Sequence, residues 1–394
     1  MMNRRKKIVI VGGGLAGLAL AMKFCERNGE VTVISYQSLK RSHSVCAQGG
    51  INAAIDAKNE GDTPEKHFYD TIKGGDFLAH QPLVRDMCFQ APAIIHLMDR
   101  MGVAFNRTGE GHLDFRRFGG TLYNRTAFAG ATTGQQLVYA LDEQVRRNIH
   151  DGNATALEWH EYLGAAIDSN GICRGAVIHD LKTDEIYTLR ADAVVLATGG
   201  PGQVYGRSTN SVVNTGAAAT TAYLQGAKYA NGEFIQIHPT AIPGQDKLRL
   251  MSESARGEGG RVWGPKKAND NRDPKKIPET ERYYFLEEKY PLFKNLVPRD
   301  VASREIYDIV YNQNMGVSGD PMVYLDLTHK SREFLDNRLG GIMDIYTKFT
   351  GVDPREQPMK IFPAVHYSMG GLWTDYGPDQ HGLIDHGSPK NQMT

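Results

Sequence analysis

Lys7-Ile-Val-Ile-Val-Gly12-Gly-Gly14-Leu-Ala-Gly17-Leu-Ala-Leu-Ala-Met22 opens the chain, and Glu30-Val-Thr-Val-Ile34 follows it closely. Lys7 to Val11 reads as a buried strand, Leu15 to Asn28 as a helix stopped by Gly29, and Glu30 to Ile34 as a second strand. Together they predict a βαβ unit. Gly12, Gly14 and Gly17 stand between strand and helix in Gly-x-Gly-x-x-Gly spacing. The first permits the turn, the second lets a pyrophosphate approach the backbone, and the third lets helix pack on strand. A phosphate placed there meets the positive end of the helix. The acidic residue that usually holds the ribose at the end of the second strand is missing, and Ser35 stands in its place.

Ile8 to Met22 follows Arg4-Arg5-Lys6-Lys7 and so imitates a signal peptide or a short anchor. It is shorter than the ~20 residues that span a bilayer, contains glycines, and lacks an Ala-x-Ala cleavage site. Strand, turn and helix remain the better reading. Over 394 residues Lys+Arg and Asp+Glu number 45 each, so no one-signed field exists to attract nucleic acid. Cys25, Cys46, Cys88 and Cys173 form no Cys-x-x-Cys pair, which argues against a disulfide framework, a zinc knuckle or an iron–sulfur cluster.

Further along, Asp192-Ala-Val-Val-Leu-Ala-Thr198-Gly199-Gly200 reads as a strand running into an exposed-backbone turn. At this distance it predicts the chain's return to the cofactor domain, with Gly216-Ala-Ala-Ala219 starting another packed helix. From Pro265 to Asp300 nine basic and seven acidic side chains predict a solvated inserted region within a second domain.

After the second strand comes Lys40-Arg41-Ser42-His43-Ser44-Val45-Cys46-Ala47-Gln48-Gly49-Gly50. Arg-Ser-His-Ser followed by Ala-Gln-Gly-Gly resembles the flavoprotein subunits of succinate dehydrogenase and fumarate reductase, in which the matching histidine carries FAD covalently. The resemblance implies FAD linked through His43, a linkage that makes the flavin a better electron acceptor. It also implies FAD contacts from Gly12, Gly14, Gly17, Ser35, Lys40, Ser42, Ser44, Ala47, Gln48, Gly49, Gly50, Thr198, Gly199 and Gly200.

Further motifs extend the resemblance. Arg116-Arg-Phe118-Gly-Gly120 resembles the loop that sets an aromatic ring, here Phe118, against a dicarboxylate. His238-Pro-Thr240 resembles the pair that holds one carboxylate, and His366-Tyr-Ser-Met-Gly-Gly371 carries the histidine for the other. Glu253-Ser-Ala-Arg256-Gly-Glu-Gly-Gly260 and Pro298-Arg299-Asp300 resemble the proton-transfer machinery, with Arg299 as the proton carrier and Glu253 and Arg256 as its relay. These residue types also make chemical sense by themselves. A small dianion needs donors at both ends, and redox at a CH–CH bond needs hydride transfer at one carbon and proton transfer at its neighbour.

The implied fold is α/β: a Rossmann-like, doubly wound parallel sheet binding FAD, over residues 1–240 and 357–394, interrupted by an α+β capping domain over 241–356. A hinge is expected near Pro243-Gly244, and cap closure is expected to bring Arg299 over His366. The family continues past Asn391-Gln-Met-Thr394 into a flavin motif, a carboxylate-binding arginine and a helical domain, so a truncated product with weakened FAD and substrate binding is expected. The resemblance implies interconversion of succinate and fumarate linked to a quinone, with electrons passed to an iron–sulfur subunit. A cytochrome b-type anchor subunit would hold the protein peripherally at the cytoplasmic face of the inner or plasma membrane. Two alternatives stand beside it: an L-aspartate oxidase or soluble fumarate reductase, against which His43 argues, and a non-catalytic FAD-binding fragment.

Overall fold

The computed structural model describes residues 4–206, 208–244, 248–317 and 321–394. Strand β1 (Lys7–Val11), helix α1 (Leu15–Glu26) and strand β2 (Glu30–Ser35) form the expected opening unit. The apolar run that imitated an anchor is therefore divided between β1 and α1. Among the described residues no helix is long and apolar enough to cross a membrane.

Four parallel strands lie in the order Ala193–Leu196, β1, β2, Ala154–Glu158. Side chains alternate across a strand, so Ile8 and Ile10 pack with Leu18, Ala21, Met22, Leu137 and Leu141 from α1 and the helix Thr133–His150. Val9 and Val11 point the other way, onto Tyr162, Ala176 and Ile178. Burial on both faces explains why β1 shows no polar alternation. Each such side chain contributes about 1.5–3 kcal/mol when fully buried. The second face is covered by the antiparallel strands His160–Ile167, Cys173–Asp180 and Ile186–Arg190, a β layer where a doubly wound plan puts helices.

A six-stranded antiparallel sheet builds the other half, in the order Arg249–Leu250, Ile235–Ile242, Met359–Ser368, Val323–Asp326, Arg261–Pro265, Arg282–Tyr283. Helix Arg332–Thr350 lies on it through Leu335, Leu339, Ile342, Met343 and Tyr346, a spacing that draws one helical face. Ser331 caps this helix by accepting the Phe334 N–H at 3.2 Å. The boundary expected at 240/241 falls inside the strand Ile235–Ile242, and the one at 356/357 just ahead of Met359–Ser368. Those two strands pair with each other, so one sheet runs across both boundaries. Pro243-Gly244 follow the first of them directly.

The stretch from Pro265 to Asp300 differs from the expected solvated insert. Ile277, Phe285, Leu286 and Val297 are all buried, and Arg261 spans Glu279 and Glu287 at 2.9 and 2.8 Å. Composition recorded the charges, but only the fold pairs them around a core.

Candidate functional site

The glycine turn is set by contact rather than by side-chain chemistry. Gly12 adopts φ +114°, and a Cβ there would overlap the Ala197 carbonyl; one at Gly17 would overlap the Gly12 carbonyl. Gly14 starts α1 without a side-chain cap of its own, and Ser44 Oγ accepts the Leu15 N–H at 3.2 Å. Ser42 Oγ is buried with no partner and lies 4.0 Å from the point a Gly14 Cβ would occupy. Ser35 is buried at the end of β2, opposite Glu158 in register.

Glu158 was not singled out from the sequence. Its Oε1 accepts from Ser38 Oγ at 3.2 Å and from the Leu39 N–H at 3.1 Å, tying down the loop that leads to His43. Its position at the carboxyl end of a parallel strand was the available signal. Lys40 reaches the buried Asp142 carboxylate at 3.3 Å and lies over the Tyr139 ring, so its charge is directed there.

The Ala47-Gln48-Gly49-Gly50 turn has one repeated feature. Its carbonyls are held in succession: Ala47 O by the Gly134 N–H at 2.8 Å, Gln48 O by Thr133 Oγ1 at 3.4 Å, and Gly49 O by Arg116 Nη2. A trans peptide directs its N–H opposite its C=O. The N–H groups of Gln48, Gly49 and Gly50 are therefore turned to the other side, as a row of donors. Gly50 has φ +127°, and a Cβ there would overlap the Ala127 carbonyl. Phe118 packs its ring directly on Gly49. His43 Nδ1 accepts the Ser211 N–H at 3.1 Å. Gly199 and Gly200 follow the strand Ala193–Leu196 through Thr198 and pack on Asn214 and Ser368; Ser368 Oγ is buried without a partner.

A second cluster centres on Glu253, which is buried at 3% exposure. Its Oε1 accepts from Arg256 Nη2 at 2.8 Å and from the Gly119 N–H at 3.0 Å. Its Oε2 lies 2.7 Å from both Nε and Nη2 of Arg299. Burial pushes the Glu253 carboxyl up, but Arg299 and Arg256 outweigh it and hold the group below the usual carboxylate range. Arg299 Nη1 donates to Gln236 Oε1 at 2.7 Å. Gln236 was not read from the sequence either; it stands two residues before His238 in one strand.

His238 is fully buried, and its ring lies 4.9 Å from that of His366. Burial first, then Arg299, His366 and Arg256, hold His238 well below the usual imidazole range. Burial, then Arg299 and His43, lower His366 to about 4. Both rings are neutral near pH 7. The Thr240 N–H donates to His238 Nδ1 at 3.2 Å, which leaves the proton on Nε2, and Nε2 is buried without a hydrogen bond, 3.9 Å from Glu253 Oε2. The Thr240 hydroxyl donates to Met251 O at 2.8 Å and lies 3.2 Å from His238 Nδ1, so it addresses the histidine. Thr209 Oγ1 lies 2.6 Å from His366 Nδ1, a partner the sequence did not reveal.

The expected residues thus fall into two adjoining groups, the Gly12/His43/Gly49 cradle and the Glu253/Arg299/His238/His366 cluster. Phe118 and Gly119 join them. The glycine turn at the start of α1, the turned-out N–H groups and the buried unpartnered Ser42 and Ser368 hydroxyls fit a dinucleotide with a flavin at its far end.

Comparison with known proteins agrees. An FAD binding domain model matches residues 7–378. The succinate dehydrogenase flavoprotein subunit of Bacillus subtilis is 62% identical over 372 residues, covering 94% of this chain and 61% of that one. The fumarate reductase flavoprotein subunit of Escherichia coli is 33% identical over 378 residues, covering 95% and 61%. A solved E. coli quinol fumarate reductase chain superposes with TM-score 0.83 at 31% identity, covering 95% of this chain and 62% of that one. The chain spans about three fifths of the length of these relatives. With the glycine turn, the cradle and these likenesses in agreement, the chain belongs to the FAD binding domain family and is similar within it to the flavoprotein subunits of succinate dehydrogenase and fumarate reductase.

Proposed function

We propose that the protein interconverts succinate and fumarate as the flavoprotein subunit of a membrane-bound complex, with FAD attached through His43. The observation that carries the reading is the buried cluster in which two guanidiniums share one carboxylate beside two neutral imidazoles. With Arg256 and Arg299 against Glu253, the cluster is one positive charge in excess. His238 adds an Nε2–H donor without a partner. A dicarboxylate supplies the missing acceptors and negative charge.

FAD, when bound, takes up or delivers the hydride. The protein's own groups do the rest. His238 Nε2 donates to one carboxylate, His366 holds the other, and Phe118 closes the site on the Gly49 side. Arg299 passes a proton to or from the neighbouring carbon, and Glu253, in contact with both guanidiniums, returns it through Arg256. Gln236 and Glu253 keep the Arg299 guanidinium in one plane, which the short transfer distance demands. His43 accepts the Ser211 N–H at Nδ1, the role an imidazole substituted at Nε2 retains, so the geometry favours Nε2 as the linkage atom.

Residues 1–240 with 357–394, and 241–356, are read as cofactor and capping regions that close on the substrate. Electrons leave to an iron–sulfur subunit and a quinone, with a cytochrome b-type anchor holding the assembly at the cytoplasmic face of the membrane. The deciding experiment expresses the full-length protein with its partner subunits and follows flavin fluorescence in the denatured band together with succinate oxidation by a dye acceptor. Covalent flavin lost in His43→Ala, with dye reduction in the wild type, is the expected result. Noncovalent flavin with no succinate turnover would move the protein toward the aspartate oxidases.

A further inference from the structure

Arg116 is the buried cation the proposed chemistry leaves without a task. It is 3% exposed and makes no ion pair within 4 Å among the described residues. Nη2 donates to the Gly49 carbonyl, while Nε and Nη1 are buried with no partner. The guanidinium stacks 4.0 Å from the Phe128 centroid and lies 5.6 Å from that of Phe118. Burial pulls its pKa down to about 10, which still leaves it charged near pH 7. Glu258 and Asp114 attract it from beyond ion-pair distance, but a buried cation with two nitrogens unpartnered is costly, so one kept here serves something electron-rich beside it.

We infer that Arg116 is a positioning residue for the flavin: it holds the Gly49–Gly50 peptide so that the Gly50 N–H faces the flavin, and its charge makes the flavin easier to reduce. A cation on the carbonyl polarises the same peptide's N–H, strengthening it as a donor. Only glycine fits this turn, because at φ +127° a Cβ would overlap the Ala127 carbonyl. The inference rests on the flavoprotein reading above.

The test is the two-electron midpoint potential of the flavin in the full-length protein, by spectroelectrochemical titration, for wild type, Arg116→Gln and Arg116→Lys. Glutamine keeps a donor for Gly49 and removes the charge; the expected result is a reduction equilibrium at least tenfold less favourable, about 30 mV for two electrons. Lysine keeps the charge, and its potential should stay within twofold of wild type while the flavin absorbance maxima shift. A glutamine variant that holds flavin at the wild-type potential overturns the inference. Should that variant lose its flavin, the lysine variant decides: a tenfold drop there overturns the inference, and a potential within twofold supports it. Wild type without any flavin would instead sink the flavoprotein reading itself.

Discussion

Two buried ionic clusters in this molecule use the same residue types to opposite ends. In one, Arg125 donates through Nε and Nη2 to both oxygens of Asp62 at 3.0 and 2.7 Å and reaches Asp70 at 2.8 Å. One cation meets two carboxylates and no buried nitrogen of Arg125 is left unpartnered, while Nδ1 of the neutral His67 beside it is buried without a hydrogen bond. In the other, two cations meet the single carboxylate of Glu253, and His238 Nε2 and Arg256 Nε remain unpartnered. A cluster whose cation is matched by carboxylates holds elements together; one with cations in excess is built for an anionic ligand. The first joins the loop at Asp62, the helix Pro64–Gly74 and the residue that leads into the strand Thr126–Ala127.

The largest separation between them should appear on replacing an arginine in each. Arg299→Lys keeps the charge but loses the planar fork, and we expect succinate turnover of the full-length enzyme to fall about 10³-fold, within the range of a lost proton-transfer group. Its urea unfolding midpoint should hardly move, because Glu253 keeps Arg256 and the Gly119 N–H. Arg125→Ala should do the reverse, costing about 3–5 kcal/mol by stranding Asp62 in the interior, as measured by urea unfolding. A lysine variant that unfolds easily and a stable alanine variant would together abolish the distinction.

Acid sharpens the comparison through His67. Burial and then Arg125 hold its pKa at about 4 in the folded chain, against 6.5 in the unfolded one. Between those values the unfolded chain binds more protons, so stability falls as pH drops from 6.5 and the loss levels off near 4. At about 1.4 kcal/mol per unit this is roughly 3 kcal/mol. His67→Gln should therefore show a shallower loss of unfolding free energy between pH 7 and 4.5 than wild type. Parallel slopes in the two proteins would mean that His67 is protonated in the folded state.

The sequence exposed these clusters unequally, for a physical reason. The βαβ opening was legible because strand period, glycine spacing and helix stop all act within thirty residues. The second cluster could be collected from separate motifs because His43, Glu253, Arg256, Arg299 and His366 each sit in a distinctive local string. Arg125, Asp62 and His67 carry no such string, and their meeting depends wholly on the packing of three elements. The same holds for Glu158, Gln236 and Thr209, which act by orienting neighbours distant in the chain or across a strand. The β layer of residues 160–190 was missed differently: alternation in Tyr162, Ala176 and Ile178 marks a half-buried sheet, but nothing local says that its partner is the second face of β1.

Thr240 tests the comparison most finely, because the resemblance and the geometry assign its hydroxyl differently. The resemblance puts it on a substrate carboxylate. In the structure it donates to Met251 O and lies against His238 Nδ1, with the residue 0% exposed. Thr240→Val keeps the shape and the N–H that fixes the His238 tautomer, and removes only the hydroxyl. The expected loss is one ordinary hydrogen bond, about 1 kcal/mol or roughly fivefold in kcat/KM, carried mostly by KM since His238 is left slightly less well oriented. A loss of a hundredfold or more with unchanged stability would mean that the hydroxyl touches the substrate itself and that the side chain turns when the dianion enters. The two outcomes differ because a hydroxyl that only orients a donor leaves the donor in place, whereas one that binds an anionic oxygen removes a charge-assisted bond about twice as strong.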